Sequence, residues 1–169
     1  VFLFNKSFST FSGSINSRAL LFPMESVYEA YVGKKVKEIF GEEHYKVSLQ
    51  DNKYSLFDNP RKFKLRPDIV IRKDEEVIVL DTKWKRLKNN PRINYGISQL
   101  DMYQMYAYAK KYNTKHIIIL YPLIEELKEC NNIVFSSDDG IEVKVKFIDL
   151  SQVEKNIRIL MDEVKMYDY

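Results

Sequence analysis

Two apolar segments joined by a short polar stretch constrain this chain more than anything else in it. Lys64-Leu65-Arg66-Pro67-Asp68-Ile69-Val70-Ile71 and Val77-Ile78-Val79-Leu80-Asp81-Thr82-Lys83-Trp84 flank Arg72-Lys73-Asp74-Glu75-Glu76. The polar stretch reads as a turn, which predicts a hairpin with Asp74-Glu75 at its tip and Lys73 facing Glu76. In that register Asp68 faces Asp81 and Arg66 faces Lys83 on one side of the sheet. On the other side Leu65 faces Trp84, Ile69 faces Leu80 and Ile71 faces Ile78. Strand side chains alternate with period two, so one face is almost wholly apolar and the other collects the charges.

Such a hairpin is unfavourable by itself. Directly opposed side chains have Cβ atoms about 5 Å apart, and like charges there destabilise a sheet. Two carboxylates at that distance repel by roughly 3 kcal/mol at an effective dielectric near 20. A hard divalent cation such as Mg²⁺ turns the cost into a gain, because it takes carboxylate oxygens as ligands. Lys83, two residues along on the same face, is placed to orient a water or to meet a phosphate as a compact charge. Paired acids beside a lysine are the equipment of metal-assisted phosphodiester hydrolysis.

At 169 residues, 45% hydrophobic and 14% aromatic, the chain is read as one folded domain with a real core. The net charge of +3 does not by itself mark a nucleic-acid binder, but between Arg61 and Arg92 eleven Lys/Arg stand against five Asp/Glu. A basic surface around an acidic centre suits a phosphate backbone, and a merely solvated charged face fits that feature equally well. The single Cys130 excludes an internal disulfide and a cysteine zinc cluster, and points to a reducing, cytoplasmic setting. No apolar run reaches membrane-spanning length. The start, Val1-Phe2-Leu3-Phe4, has neither an initiator Met nor a signal-peptide layout, so the chain is expected to be a C-terminal fragment of a longer subunit.

Residues 1–22 are read as an extended leading segment and residues 23–169 as the functional domain. From Pro23 to Phe40, Met24, Val27, Tyr28, Tyr31, Val32, Val36, Ile39 and Phe40 fall at helical spacing, and Gly41 is expected to close the run. Tyr45–Leu49 alternates like a strand, and Asp51-Asn52 and Asp58-Asn59-Pro60 read as turns. After the acidic hairpin comes a polar loop, Leu87–Tyr95. Ile97–Tyr112 is predicted to be a helix apolar on nearly all sides and therefore buried. His116–Tyr121 is a short strand, Ile133–Ser137 and Ile141–Ile148 flank a turn at Asp138-Asp139-Gly140, and Gln152–Met166 is an amphipathic helix. This order predicts an α/β (α+β) fold with a central mixed sheet flanked by helices.

The Asp/Glu-x-Lys triplet occurs five times, at Asp51, Asp81, Glu126, Glu142 and Glu163, so the triplet alone is weak. Only Asp81-Thr82-Lys83 follows an apolar strand that faces another acid in register. Glu29 lies on the predicted first helix about 20° from Val36, at the flank of the apolar stripe. There it is either a third acid reaching the sheet edge or an ordinary helix glutamate, with Glu25 as runner-up. Gln104 shares a stripe with Ile97, Asp101, Tyr108 and Lys111; a satisfied core amide and a group holding a water or phosphate oxygen fit it equally. Lys85, Arg86, Lys88 and Arg92 follow Lys83 within reach of DNA phosphates, though each alone reads as a surface charge. The five glycines form no phosphate-cradling loop, His44 and His116 are isolated, and no Gly-x-Ser-x-Gly elbow is present.

Taken together, Glu29, Arg66-Pro67-Asp68 and Asp81-Thr82-Lys83 resemble the PD-(D/E)xK nuclease superfamily. More narrowly, Leu20-Leu21-Phe22-Pro23-Met24-Glu25-Ser26-Val27-Tyr28-Glu29-Ala30-Tyr31-Val32 and Ile97-Ser98-Gln99-Leu100-Asp101-Met102-Tyr103-Gln104-Met105 resemble McrC, the nuclease subunit of McrBC 5-methylcytosine restriction systems. Met102 replaces the leucine of that family's Asp-Leu-Tyr-Gln helix, a tolerable swap. The resemblance implies a restriction-endonuclease-like core and a Mg²⁺-dependent DNA endonuclease, with Mn²⁺ able to substitute. It implies metal on Asp68, Asp81 and Glu29, Lys83 as catalytic lysine, Gln104 in support, and Arg66, Lys85, Arg86, Lys88 and Arg92 on DNA. The implied partners are DNA, an McrB-like AAA+ GTPase and a second copy for double-strand cleavage, with no membrane. A helicase-coupled repair nuclease of the same fold and a non-catalytic assembly module remain as alternatives.

Overall fold

The computed structural model describes residues 7–10, 17–20, 23–130 and 132–165. In the leading segment β1 (Ser7–Thr10) pairs antiparallel with β2 (Ser17–Leu20). The rest of that expected extended segment, including Leu21 and Phe22 of the family-like motif, lies outside the described residues, as does Met166 of the last predicted helix.

Helix α1 (Met24–Glu42) is followed by β3 (Lys46–Leu49), a hairpin of β4 (Ser55–Asp58) and β5 (Arg61–Lys64), then β6 (Ile69–Lys73) and β7 (Glu76–Thr82). Helix α2 (Gln99–Tyr112) leads into β8 (His116–Pro122), then β9 (Ile133–Ser136), β10 (Glu142–Ile148) and α3 (Val153–Lys165). Six of the strands form the mixed central sheet, in the order β3-β6-β7-β8-β10-β9. The β6–β7 register is the expected one, with Ile69 opposite Leu80, Ile71 opposite Ile78 and Lys73 opposite Glu76. β7 and β8 run parallel, as do β8 and β10. A parallel pair needs a long crossover, and between β7 and β8 it is α2.

The sheet is buried on both sides. Ile69, Ile71, Ile78, Leu80, Ile118 and Leu120 pack with Tyr28, Val32 and Val36 of α1 and Ile157, Leu160 and Val164 of α3. Val70, Val79, Ile117, Ile119 and Tyr121 pack under Met105, Tyr108, Ala109 and Tyr112 of α2. The contrast between an apolar and a charged face therefore holds only at the ends of the strands, because the face bearing the acids is apolar at Val70 and Val79 and charged again at Arg72, which pairs with Asp51. That explains the nearly unbroken apolar runs of β7 and β8, which fit strands covered on both faces.

Three expectations are corrected. Extrapolated past Asp68, the register places Leu65 with Trp84 and Arg66 with Lys83, but β6 starts at Ile69 and the ladder ends there. Pro67 has no N–H to continue it. Leu65 turns to the α2 side, and the Trp84 ring meets Tyr28 of α1 at 5.4 Å between ring centroids, tilted by 52°. Next, α2 is not buried all round: Leu100, Tyr103 and Tyr106 are exposed, and Ser98 caps the helix through the Leu100 N–H. In α1, Met24, Val27 and Tyr31 are likewise exposed, and Gly41 lies inside the last turn. The expected turn at Asp58-Asn59-Pro60 is present, as the tip of a hairpin whose strands had no apolar alternation to betray them. Among the described residues no helix is long and apolar enough to cross a membrane.

Leu80→Ala, in the centre of the sheet, is expected to cost about 2–5 kcal/mol. Leu100→Ala, on the outer face of α2, is expected to stay within about 0.5 kcal/mol of the parent. Urea unfolding of the two variants checks both values.

Candidate active site

Alternation along β6 and β7 puts Asp68 and Asp81 on the same face as Val70 and Val79, the face that α2 covers. Asp81 is the most buried acid of the group, at 2% exposure. Asp68 stands just before β6, where its backbone carbonyl accepts the Gln50 N–H at 2.7 Å. Its Oδ2 accepts both the Thr82 backbone N–H at 2.7 Å and the Thr82 hydroxyl at 2.6 Å. The carboxylate thus reaches across the end of the ladder and replaces the backbone pairing that Pro67 interrupts.

Lys83 comes from the segment just beyond β7, held by its N–H to the Leu120 carbonyl at 3.0 Å. Its Nζ lies 2.6 Å from Asp81 Oδ2, 3.8 Å from Asp101 Oδ1, and donates to Gln104 Oε1 at 3.3 Å. Gln104 in turn donates through Nε2 to the Tyr108 hydroxyl at 2.6 Å. Gln104 is therefore a satisfied amide and a contact of Lys83 at once. Asp101, Gln104 and Tyr108 recur at helical spacing and present one stripe of α2 to the strand ends.

Burial and, after it, the charge of Asp68 push the Asp81 carboxyl up to about 7, against the lowering effect of Lys83. Lys83 is also buried, which lowers its affinity for a proton, but Asp81, Asp101 and Asp68 together outweigh that and raise it above the usual lysine value. The amine is firmly cationic. Asp81 Oδ2 is the buried oxygen that meets this cation. The Tyr121 hydroxyl is buried with no hydrogen-bond partner among the described residues. A buried carboxylate beside a second acid is a donor set that fits a hard divalent cation.

Glu29 stands beside this pair. Its Oε1 accepts from Gln50 Nε2 at 2.7 Å, and Gln50 Oε1 accepts from the Arg66 guanidinium. Burial and the charges of Asp68 and Glu25 raise the Glu29 carboxyl. The close seat of α1 depends on Gly33, one turn further on, where a Cβ would lie 3.2 Å from Leu49 Cδ2. Among the described residues no three Asp, Glu, His or Cys side chains converge into a ready metal-binding cluster. The structure thus joins Asp68, Asp81, Lys83 and Gln104, and holds Glu29 at the margin through Gln50. Glu25 is exposed and makes no such link.

The remaining basic candidates sit on the loop between β7 and α2. Lys85 donates to the Gly96 carbonyl at 2.6 Å, and Arg86 lies 4.0 Å from Glu126. Lys88 and Arg92 are exposed. Thr82, Gln50, Asp101 and Tyr121 escaped the sequence reading. Asp101 and Tyr108 had a signal in the Gln104 stripe, while Thr82 and Gln50 had none, since their roles depend on where the ladder stops.

A family model described as McrBC 5-methylcytosine restriction system component matches residues 1–122. No curated protein matches the chain. Among solved structures, the protein of unknown function AF1548 is similar at 16% identity and a TM-score of 0.43, over 81% of this chain and 67% of its own.

The raised Asp81 carboxyl has a measurable consequence. Its folded value lies above the unfolded one, so the folded chain binds the extra proton between about pH 4 and 7 and loses stability as pH rises through that window. In chelator, Asp81→Asn is expected to melt above the parent at pH 8, with the difference vanishing toward pH 4. Mn²⁺ at pH 8 is expected to raise the melting temperature of the parent and not that of Asp81→Asn. Thermal melts at the two pH values, with and without the ion, check both.

Proposed function

The chain belongs to the McrBC 5-methylcytosine restriction system component family, and from that premise we propose that it is the metal-dependent DNA endonuclease part of such a system, with a PD-(D/E)xK site. One observation carries the reading: two acids at the end of adjacent antiparallel strands share a face, and a cationic lysine lies 2.6 Å from the buried one. Family membership favours restriction over helicase-coupled repair.

Asp68 and Asp81 are the residues proposed to hold Mg²⁺ or Mn²⁺, with Glu29 adding a further carboxylate from the margin. The ion, when bound, supplies Lewis-acid polarisation of the scissile phosphate and offsets the charge that builds there. Thr82 fixes Asp68 Oδ2 through two hydrogen bonds, leaving Oδ1 without a donor among the described residues. Lys83 keeps its proton and acts as a charged donor, orienting a water or a phosphate oxygen. Gln104, itself bonded to the Tyr108 hydroxyl, gives the ammonium a second contact beside Asp81. Arg66, Lys85, Arg86, Lys88 and Arg92 are proposed to meet the DNA backbone. An McrB-like GTPase supplies recognition of the modified base, and a second copy of this chain cuts the other strand.

Asp68→Ala, Asp81→Ala and Lys83→Ala are each expected to reduce cleavage about 10²-fold or more in the complete complex with methylated DNA and Mg²⁺. Gln104→Ala is expected to cost less, about tenfold, because it acts through Lys83. Parent-like cleavage by Asp81→Ala or Lys83→Ala would refute the assignment.

A further inference from the structure

We propose that the β4–β5 hairpin is a DNA-contacting element in which Phe57 and Phe63 meet bases or sugars while Lys62 and Lys64 meet phosphates. The proposal rests on the nuclease reading and names a surface which that reading does not use. Phe57 and Phe63 are 56% and 71% exposed, and their rings meet edge to face at 5.9 Å. Two large aromatic rings packed on each other yet left in solvent are not core. Phe63 also holds φ +56°, a left-handed conformation uncommon for a bulky side chain, with no burial to compensate it.

The hairpin is firmly mounted. Ser55 is buried, the Tyr54 ring packs edge to face on Tyr112 of α2 at 4.8 Å, and the Leu65 N–H donates to the Tyr54 carbonyl at 3.0 Å. Lys111 of α2 pairs with Asp58 near the tip at 2.7 Å. The exposed rings therefore stand on a fixed support.

Charge selects the partner. From Lys53 to Arg66 there are five Lys/Arg and one acid, Asp58, which Lys111 already neutralises. Lys62 and Lys64 are exposed and have no carboxylate partner among the described residues. Protein interface cores are depleted of lysine, whereas aromatic rings interleaved with cations are the surface that binds nucleic acid by stacking and phosphate contact. The chain runs from Lys64 to Asp68 in four residues, at most about 14 Å. The backbone of Lys64 therefore falls within about four base steps of the phosphate at the acidic pair, and that of Lys62 within about six.

The test is DNA binding by the complete complex in chelator, so that no strand is cut, over a range of salt concentrations. Lys62→Ala/Lys64→Ala is expected to lower the slope of log affinity against log salt by about 1.8, two phosphates' worth. Phe57→Ala/Phe63→Ala is expected to weaken binding about tenfold with the slope unchanged. A benzophenone photo-crosslinker in place of Phe63 is expected to capture DNA. Parent-like affinity and slope in both double variants, or crosslinks to protein subunits only, would overturn the proposal. Separate cleavage of the same DNA by the parent in Mg²⁺ distinguishes the two readings: binding without cleavage counts against the nuclease and leaves the hairpin standing.

Discussion

Two carboxylates brought together at the mouth of a buried strand pair set the terms for everything near them. Asp81 is almost fully enclosed, and Asp68 adds a like charge, so the pair is held at a cost that burial alone would make worse. Lys83 offsets part of it, and Thr82 satisfies the outer acid. What remains is a buried acid pair whose repulsion one neighbouring ammonium only partly offsets. A chain selected for stability alone would place an apolar residue or a neutral amide there, since a buried charge without full compensation is expensive. The cost of holding the arrangement is what argues for a function.

The fold makes this cluster by topology. Parallel pairing of β7 with β8 forces the chain across one face of the sheet, and that crossover is α2. The strand that carries Asp81 near its end is therefore followed by the helix that covers Asp81. Asp101, Gln104 and Tyr108 arrive over the strand ends as part of the same connection, and the lysine between strand and helix is fixed from both sides. On the opposite face α1 seats closely at Gly33, and its Glu29 reaches the margin through Gln50 to Arg66.

Local pattern carried a good deal of this. The β6–β7 register could be read off because the turn is short and polar, which fixes the residues that face each other on either side of it. The β9–β10 hairpin and α3 were legible for similar reasons: a Gly turn flanked by alternation, and an apolar stripe at Val153, Ile157, Leu160 and Val164. The β4–β5 hairpin was not legible, since its strands carry Phe, Lys and Asp in no periodic order and bury almost nothing. α2 misled in another way: its aromatic residues on both faces imitate a buried helix, while Tyr103 and Tyr106 face solvent.

By itself the sequence determined which acidic and basic side chains share a face and which strands they ride on, because a tight turn fixes the facing pairs and alternation with period two assigns the faces. It did not determine where that register stops. Pro67 ends the ladder, and the gap is filled by a side chain, Asp68, bonding to Thr82, and by a neighbouring strand, through the Gln50 N–H. Nor did it determine that Glu29 would be tied to Gln50 or that Asp101 would face Lys83. Those contacts join segments far apart in the chain, and only the packing of α1 and α2 on opposite faces of one sheet brings them within bonding distance.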